Sequence, residues 1–186
     1  MKYLFLWLEG ALQSWGANSR FYVRRTLEFP TKSGIYGLLL AASGDSGPQE
    51  ELLVQMADAP LSILTFQNEQ KKLNDYHMVG AGYNRKDEWE NRHEPRLPNG
   101  EERNSAGGGS KQTYREYLQN SSFAAVLGLP DELAEKFAAA LQNPVYDLYL
   151  GRKCCVPSEM IFQGMFSTET EAFDAVNAMI ARKNAD

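Results

Sequence analysis

Lys32, Ser33 and Gly34 follow Pro30 and lead straight into the apolar run IYGLLLAAS. Arg20, Arg24 and Arg25 lie just ahead of them. The pattern predicts a helix that starts near Thr31 or Ser33 and ends at Gly44, a natural C-terminal cap. The first N–H groups of a helix lack intrahelical partners and carry partial positive charge, so a phosphate can dock there. Lys32 would add a charge and Ser33 a hydroxyl. Arg20, Arg24 and Arg25 would line the approach. The same residues also make an ordinary capped helix beside solvated arginines, and sequence physics leaves both readings open.

A second candidate is Tyr76-His77, inside NDYHMVG. An imidazole near a tyrosine and a lysine can activate a ribose 2′-hydroxyl with no metal. The plainer alternative is a strand histidine that packs or meets solvent. His93 lies in a charged stretch and reads as solvated. With two histidines in the chain, and no Cys or carboxylate cluster at ligand spacing, a metal site is not expected. No cofactor motif is complete either. TKSG (31–34) lacks the preceding glycines of a phosphate-binding P-loop, and GAGYNR (80–85) lacks the third glycine of a dinucleotide fingerprint. SGDSGP (43–48) is close to a protease serine signature, but both histidines follow it and the chain is short for two barrels.

These groups need a scaffold. KYLFLWLEG is a continuous apolar run of strand length, expected to be buried on both faces. Residues 10–30 read as a loop. Pro48 opens a second helical piece to about Ala57, with acids in its first turn. LSILTFQ (61–67) and KKLNDYHMVG (71–80) read as strands joined by a turn at Asn68-Glu-Gln. Residues 81–112 hold prolines, charges, Asn99-Gly100 and Gly107–Gly109, and read as an insertion with an Asn-Gly hairpin. SSFAAVLGL (121–129) is a strand. Pro130 starts a helix to about Leu141, with Leu133, Phe137 and Leu141 on one face. VYDLYLG (145–151) is a strand, and Thr168–Lys183 a final amphipathic helix with Phe173, Val176 and Ile180 at helical spacing. The order approximates the doubled β-α-β of an α+β, ferredoxin-like fold. Its sheet would leave one face open, the platform of RRM-like RNA-recognition modules.

The 186 residues suggest one domain with an insertion, and the composition, 43% hydrophobic and 23% charged, is that of a globular protein. No apolar run reaches the roughly 18 residues of a membrane helix. The opening apolar stretch stops at Glu9 with no clean cleavage site, so a buried strand and a cytoplasmic location are expected. Cys154 and Cys155 are adjacent and cannot build a disulfide framework. The formal charge of −5 hides a pattern. Residues 1–37 and 71–115 are net basic, by +3 and +2, and the two zones between and after them are acidic, by −5 each. A polyanion could bind the basic zones.

Several segments together carry a resemblance: LEGALQSWG (8–16), FPTKSGIYGLLLAASG (29–44) behind Arg24-Arg25, TYREYLQNSSFAAVLG (113–128) and LYLGRKCCVP (148–157). With them the chain resembles the CasD family of CRISPR-associated Cascade subunits (type I-E), within the RAMP superfamily. The resemblance spans nearly the whole chain. It implies a ferredoxin-like palm (1–80 and 113–186) with 81–112 projecting as a thumb. It implies binding of the 5′ handle of CRISPR RNA, capping of a filament of Cascade backbone subunits, contact with the large subunit, and target DNA as an indirect partner. Neither a cofactor nor a membrane is expected. On this basis Arg20, Arg24, Arg25, Lys32 and Ser33 would meet handle phosphates. Tyr76 and His77 would face RNA, Arg115 and Gly107–Gly109 would belong to the thumb base, and Arg152 and Lys153 would contact RNA or a neighbouring subunit. Trp15, Tyr36 and Tyr76 serve either stacking or the core. The alternative is a metal-independent endoribonuclease of the type I-C kind, which uses a Tyr-Lys-His group. Here no lysine neighbours His77, so a non-catalytic subunit is the expectation.

Overall fold

The computed structural model describes residues 1–16, 19, 22–66, 71–80, 96–101 and 110–185. Arg20, His93, Gly107–Gly109, the Asn68-Glu-Gln turn and most of the 81–112 insertion lie outside the described residues. In chain order the elements are β1 (Lys2–Gln13), β2 (Trp15–Gly16), β3 (Val23–Arg24), β4 (Thr26–Leu27), α1 (Lys32–Ser43), α2 (Glu50–Gln55), β5 (Leu61–Thr65), β6 (Lys71–Val79), β7 (Lys111–Leu129), α3 (Asp131–Gln142), β8 (Phe162–Phe166) and α4 (Glu169–Lys183).

The spine is β7, 19 residues long. Its C-terminal half pairs antiparallel with β1 on one edge and β5 on the other. Its N-terminal half pairs with β6 and, in parallel, with β3. β8 lies antiparallel on the outer side of β1. Through the C-terminal half of β7 the strands therefore run β5-β7-β1-β8. Asn120 marks the junction of the halves, at φ +47, where the β1 ladder skips from Gly10↔Ser121 to Leu12↔Gln119. Asparagine tolerates this left-handed geometry better than most side chains, which lets one strand serve two sets of partners.

Side-chain alternation buries both faces of the sheet. Leu4, Leu6 and Leu8 of β1, with Phe123, Ala125 and Leu127 of β7, pack in one core with Ile35 and Leu39 of α1 and Phe137 and Leu141 of α3. Phe5, Trp7, Ala124 and Val126 face the other way and pack with Ala172, Val176 and Met179 of α4. Each fully buried Leu or Phe contributes about 1.5–3 kcal/mol. Trp7 also stacks on Phe66, with ring centroids 5.3 Å apart. The platform expected to stay open is thus covered by α4, which Thr168 and Glu171 anchor in a capping box.

Three other expectations are corrected. The first strand does not stop at Gly10 but runs to Gln13, and the stretch expected as loop contains the short strands β2, β3 and β4. The strand expected at 121–129 begins at Lys111. No strand forms at 145–151; the last strand is Phe162–Phe166. Val145 and Tyr146 instead donate their N–H groups to the carbonyls of Ala42 and Ala41 at the end of α1 (2.8 and 3.3 Å). The Asn99-Gly100 turn is present, with Gly100 at φ +84 and its N–H on the Leu97 carbonyl.

Within α1, Gly37 is exposed, and a Cβ there would meet nothing within 4 Å. Gly37→Ala is expected to stabilise the protein by about 0.5–1 kcal/mol. Urea denaturation would read this as a higher midpoint at an unchanged slope, and a lowered midpoint would contradict it.

Candidate nucleic-acid interface

The segment after β1 folds back on itself through the β2–β4 pair, Trp15↔Leu27 and Gly16↔Thr26. Trp15 is 1% exposed and underlies the first turn of α1. Its main-chain N–H donates to Thr26 Oγ1 (2.8 Å) and its indole N–H to Gln13 Oε1 (3.0 Å). The buried Gln13 amide in turn donates to the carbonyls of Leu8 and Ser121. A Cβ on Gly34 would come within 2.9 Å of the Trp15 ring, so glycine lets the helix begin directly on the indole. Thr31 caps α1 by accepting from the Gly34 N–H at 3.1 Å. That leaves the N–H groups of Lys32 and Ser33 without intrahelical partners.

The second wall comes from far along the chain. Gly151 lies against Ser14, with the Ser14 carbonyl oxygen 1.8 Å from where a Cβ would stand. Arg152 then reaches across the sheet. Its Nη1 donates to the Glu116 carbonyl and its Nη2 to the Arg24 carbonyl, both at 2.9 Å. Its guanidinium lies 4.6 Å over the Tyr117 ring. Burial pushes the Tyr117 hydroxyl above its usual range, with the Cys154 hydrogen bond adding to the rise. The phenol is therefore neutral, and Arg152 supplies the charge.

Between these walls lies a cleft of about 410 Å³, lined by Arg24, Arg25 and Arg152, by Thr31, Ser33 and Gly34 of the helix start, and by Ser14–Gly16, Ser19 and Gly151. Arg24 and Arg25 are exposed. Among the described residues their guanidinium groups have no bonded partner. Chemically this is an anion cleft: exposed cations on one rim, a fixed guanidinium on the other, and helix N–H groups without intrahelical partners between them.

Of the residues singled out in the sequence, the structure brings Arg24, Arg25, Ser33 and Arg152 together. Lys32 faces the other flank of α1, where Nζ donates to the carbonyls of Ala57 and Ala59 (2.7 and 2.8 Å) and ties the end of α2 to β5. Trp15 and Tyr36 are core residues, the latter donating its hydroxyl hydrogen to the Met56 carbonyl. Tyr76 is 50% exposed and forms a tilted pair with Tyr114. His77 follows it on β6 and so projects from the opposite face, with Nδ1 3.8 Å from Asp75 Oδ2. Lys72 is paired with Glu28 at 2.9 Å. Arg115 donates to Thr113 Oγ1 (3.2 Å), and Lys153 is exposed. Of these residues Trp15 alone borders the cleft, as its buried floor; Lys32, Tyr36, Tyr76, His77, Arg115 and Lys153 lie outside its lining. Sequence reasoning misses Glu116: its carboxylate accepts from the Thr26 N–H (3.3 Å) while its carbonyl accepts from Arg152. Gly151 reads in the sequence only as a strand end.

The two thiols differ sharply. Cys155 is buried, and burial pushes its thiol up to about 11. Cys154 is exposed and its Sγ lies 3.5 Å from the Tyr117 hydroxyl. At about pH 8, iodoacetamide is expected to label Cys154 and spare Cys155 until the protein unfolds. Peptide mass mapping checks this, and equal labelling of both thiols in the folded protein would contradict it.

A family model described as CRISPR-associated protein (Cas_Cas5) matches residues 3–185. The CRISPR system Cascade subunit CasD of Escherichia coli (strain K12) is 30% identical over 174 residues, covering 87% of this chain and 70% of that protein. Among solved structures, a chain of a CRISPR RNA-guided surveillance complex superposes with a TM-score of 0.71 at 28% identity, over 86% of this chain. The present chain spans 61% of the length of that one. A Cas protein crystal structure superposes with a TM-score of 0.56 at 28% identity, over 92% of this chain and 69% of that one. The chain therefore belongs to the Cas5/CasD family of CRISPR-associated proteins.

Proposed function

We propose that this protein is a non-catalytic subunit of a Cascade-type CRISPR surveillance complex, in which it holds the 5′ handle of CRISPR RNA and caps one end of the backbone filament. The observation that carries this reading is the cleft at the start of α1, lined by Arg24, Arg25 and Arg152 together with the helix start, whose first N–H groups lack intrahelical partners. The antiparallel order β5-β7-β1-β8, with α1 after the first of these strands in sequence and α3 after the third, supports a ferredoxin-like palm. Residues 81–112 are its thumb in this reading. Backbone and large subunits are the protein partners, and target DNA is met only through the complex. An acidic chain is compatible with this role, because a subunit inside a ribonucleoprotein needs only one basic face, and partner subunits share the grip.

The test is to tag the protein in its own cells, purify it gently and sequence the RNA that accompanies it. Short RNAs sharing one repeat-derived 5′ end, with Cascade subunits alongside, are expected. Absence of such RNA while the CRISPR locus is expressed would overturn the reading.

A further inference from the structure

An unprotected edge strand invites another strand, and proteins blunt such edges with charge, irregularity or shortness. The edges of the described sheet follow that rule with one exception. β3 is two residues long. β6 carries Lys71, Lys72 and Asp75. The ladder of β8 on β1 is broken by a register shift at Phe5/Leu6. β5, with the sequence LSILT, pairs in regular register with β7 and has no charge, proline or bulge.

Two hydrogen bonds set the phase of β5. The Gly128 N–H donates to the Pro60 carbonyl (2.9 Å), and the Phe66 N–H to the Ser122 carbonyl (3.3 Å). In an antiparallel ladder the hydrogen-bonded pairs alternate, so Ser62 and Leu64 turn their main-chain groups to β7. The N–H and C=O groups of Leu61, Ile63 and Thr65 point outward, with no partner among the described residues. The side chains of the same three residues line a groove of about 490 Å³, together with Phe29, Pro30 and Lys32. Phe29 is 50% exposed. The bonds from Lys32 to Ala57 and Ala59 fix that wall against the entry to β5.

We propose that β5 accepts an extended segment of another protein chain as an added strand, with an apolar side chain of that segment seated between Phe29 and Ile63. The occupant is a polypeptide because the outward groups alternate donor and acceptor at the spacing of a main-chain ladder, beside the apolar side chains of Phe29, Leu61 and Ile63. It is not a second copy of this chain. Twofold pairing of two β5 edges would crowd both Phe29–Pro30 walls and both Lys32 ammonium groups onto one face. The inference does not depend on which RNA the cleft holds.

Amide hydrogen exchange on the protein alone and in the assembly purified from its own cells tests this. The Ile63 and Thr65 amides are expected to exchange at least about tenfold more slowly in the assembly. Thr65→Pro removes an outward N–H and leaves the β7 ladder intact, and Thr65→Lys adds an edge charge without altering the main chain. Both are expected to abolish the extra protection and to reduce the recovery of one protein partner. Unchanged exchange in the assembly would overturn the proposal. So would protection reproduced by RNA alone, or by concentrating the pure protein.

Discussion

Reversing both rim arginines, Arg24→Glu with Arg25→Glu, is expected to weaken binding of a handle-bearing single-stranded RNA by about a hundredfold or more while leaving the fold intact. Both side chains are exposed, and neither guanidinium is bonded among the described residues. Their removal therefore costs no internal contact. Each charged hydrogen bond to a phosphate is worth about 1.5–3 kcal/mol, and the introduced carboxylates add repulsion. Arg24 shares in the fold only through its main chain, which pairs with β7 and whose carbonyl accepts from Arg152 whatever its side chain is. The dependence of log K on log salt should also become shallower, by about 1.4 when two phosphates of a single strand are no longer neutralised. Nitrocellulose filter binding across a salt series measures both quantities, and circular dichroism checks the fold. Unchanged affinity and slope would remove the cleft as the RNA site. Lys32→Glu is a poorer probe, because it also releases the carbonyls of Ala57 and Ala59.

What could be read in the sequence was local. α1 announced itself through Thr31 and Gly44, and both caps are made. The arginine cluster and the helix start lie within about ten residues of each other, so their convergence needed no knowledge of the fold. Arg152 was visible as a cation, but its clamp on the Arg24 carbonyl spans 128 residues. Only the path of the chain through Gly151 brings it there. The stretch at 145–151 has the apolar alternation of a strand, yet its main chain meets the end of α1 and Ser14 instead of a neighbouring strand. The true last strand, FQGMF, hides behind Gly164, which has weak β-propensity. The polar half of β7 from Lys111 to Asn120 shows no apolar alternation. Pairing with β6 and, through Leu12 and Gln13, with β1 makes it a strand. The period of α4 marked it as amphipathic, but not which sheet face it would cover. Nothing in the apolar run of β1 distinguishes an RNA platform from a helix seat.

Gly151→Ala should be the most damaging single-methyl change near the site. The residue holds φ +103, a conformation that costs an L side chain about 1–3 kcal/mol. Space is tighter still, because the new Cβ would fall 1.8 Å from the Ser14 carbonyl oxygen and 2.8 Å from its carbonyl carbon. Both are main-chain atoms, so no rotamer change relieves the clash, and Ser14 or Gly151 must move. Either motion pulls on the Ser14 N–H bond to the Leu150 carbonyl (3.0 Å) and the Leu150 N–H bond to the Cys155 carbonyl (2.8 Å). It also displaces Arg152 from its two carbonyls. Overpacking of this kind adds about 1–3 kcal/mol, for a loss of roughly 2–6 kcal/mol in all, and at this chain length the melting temperature should fall by about 10 °C. Gly16→Ala is the matched control. Gly16 borders the same cleft, but a Cβ there meets nothing within 4 Å, so its effect should stay within about 0.5 kcal/mol. If calorimetry found the two variants equally stable, the contact between Gly151 and Ser14 would not be what seats Arg152, and the second wall of the cleft would need another cause.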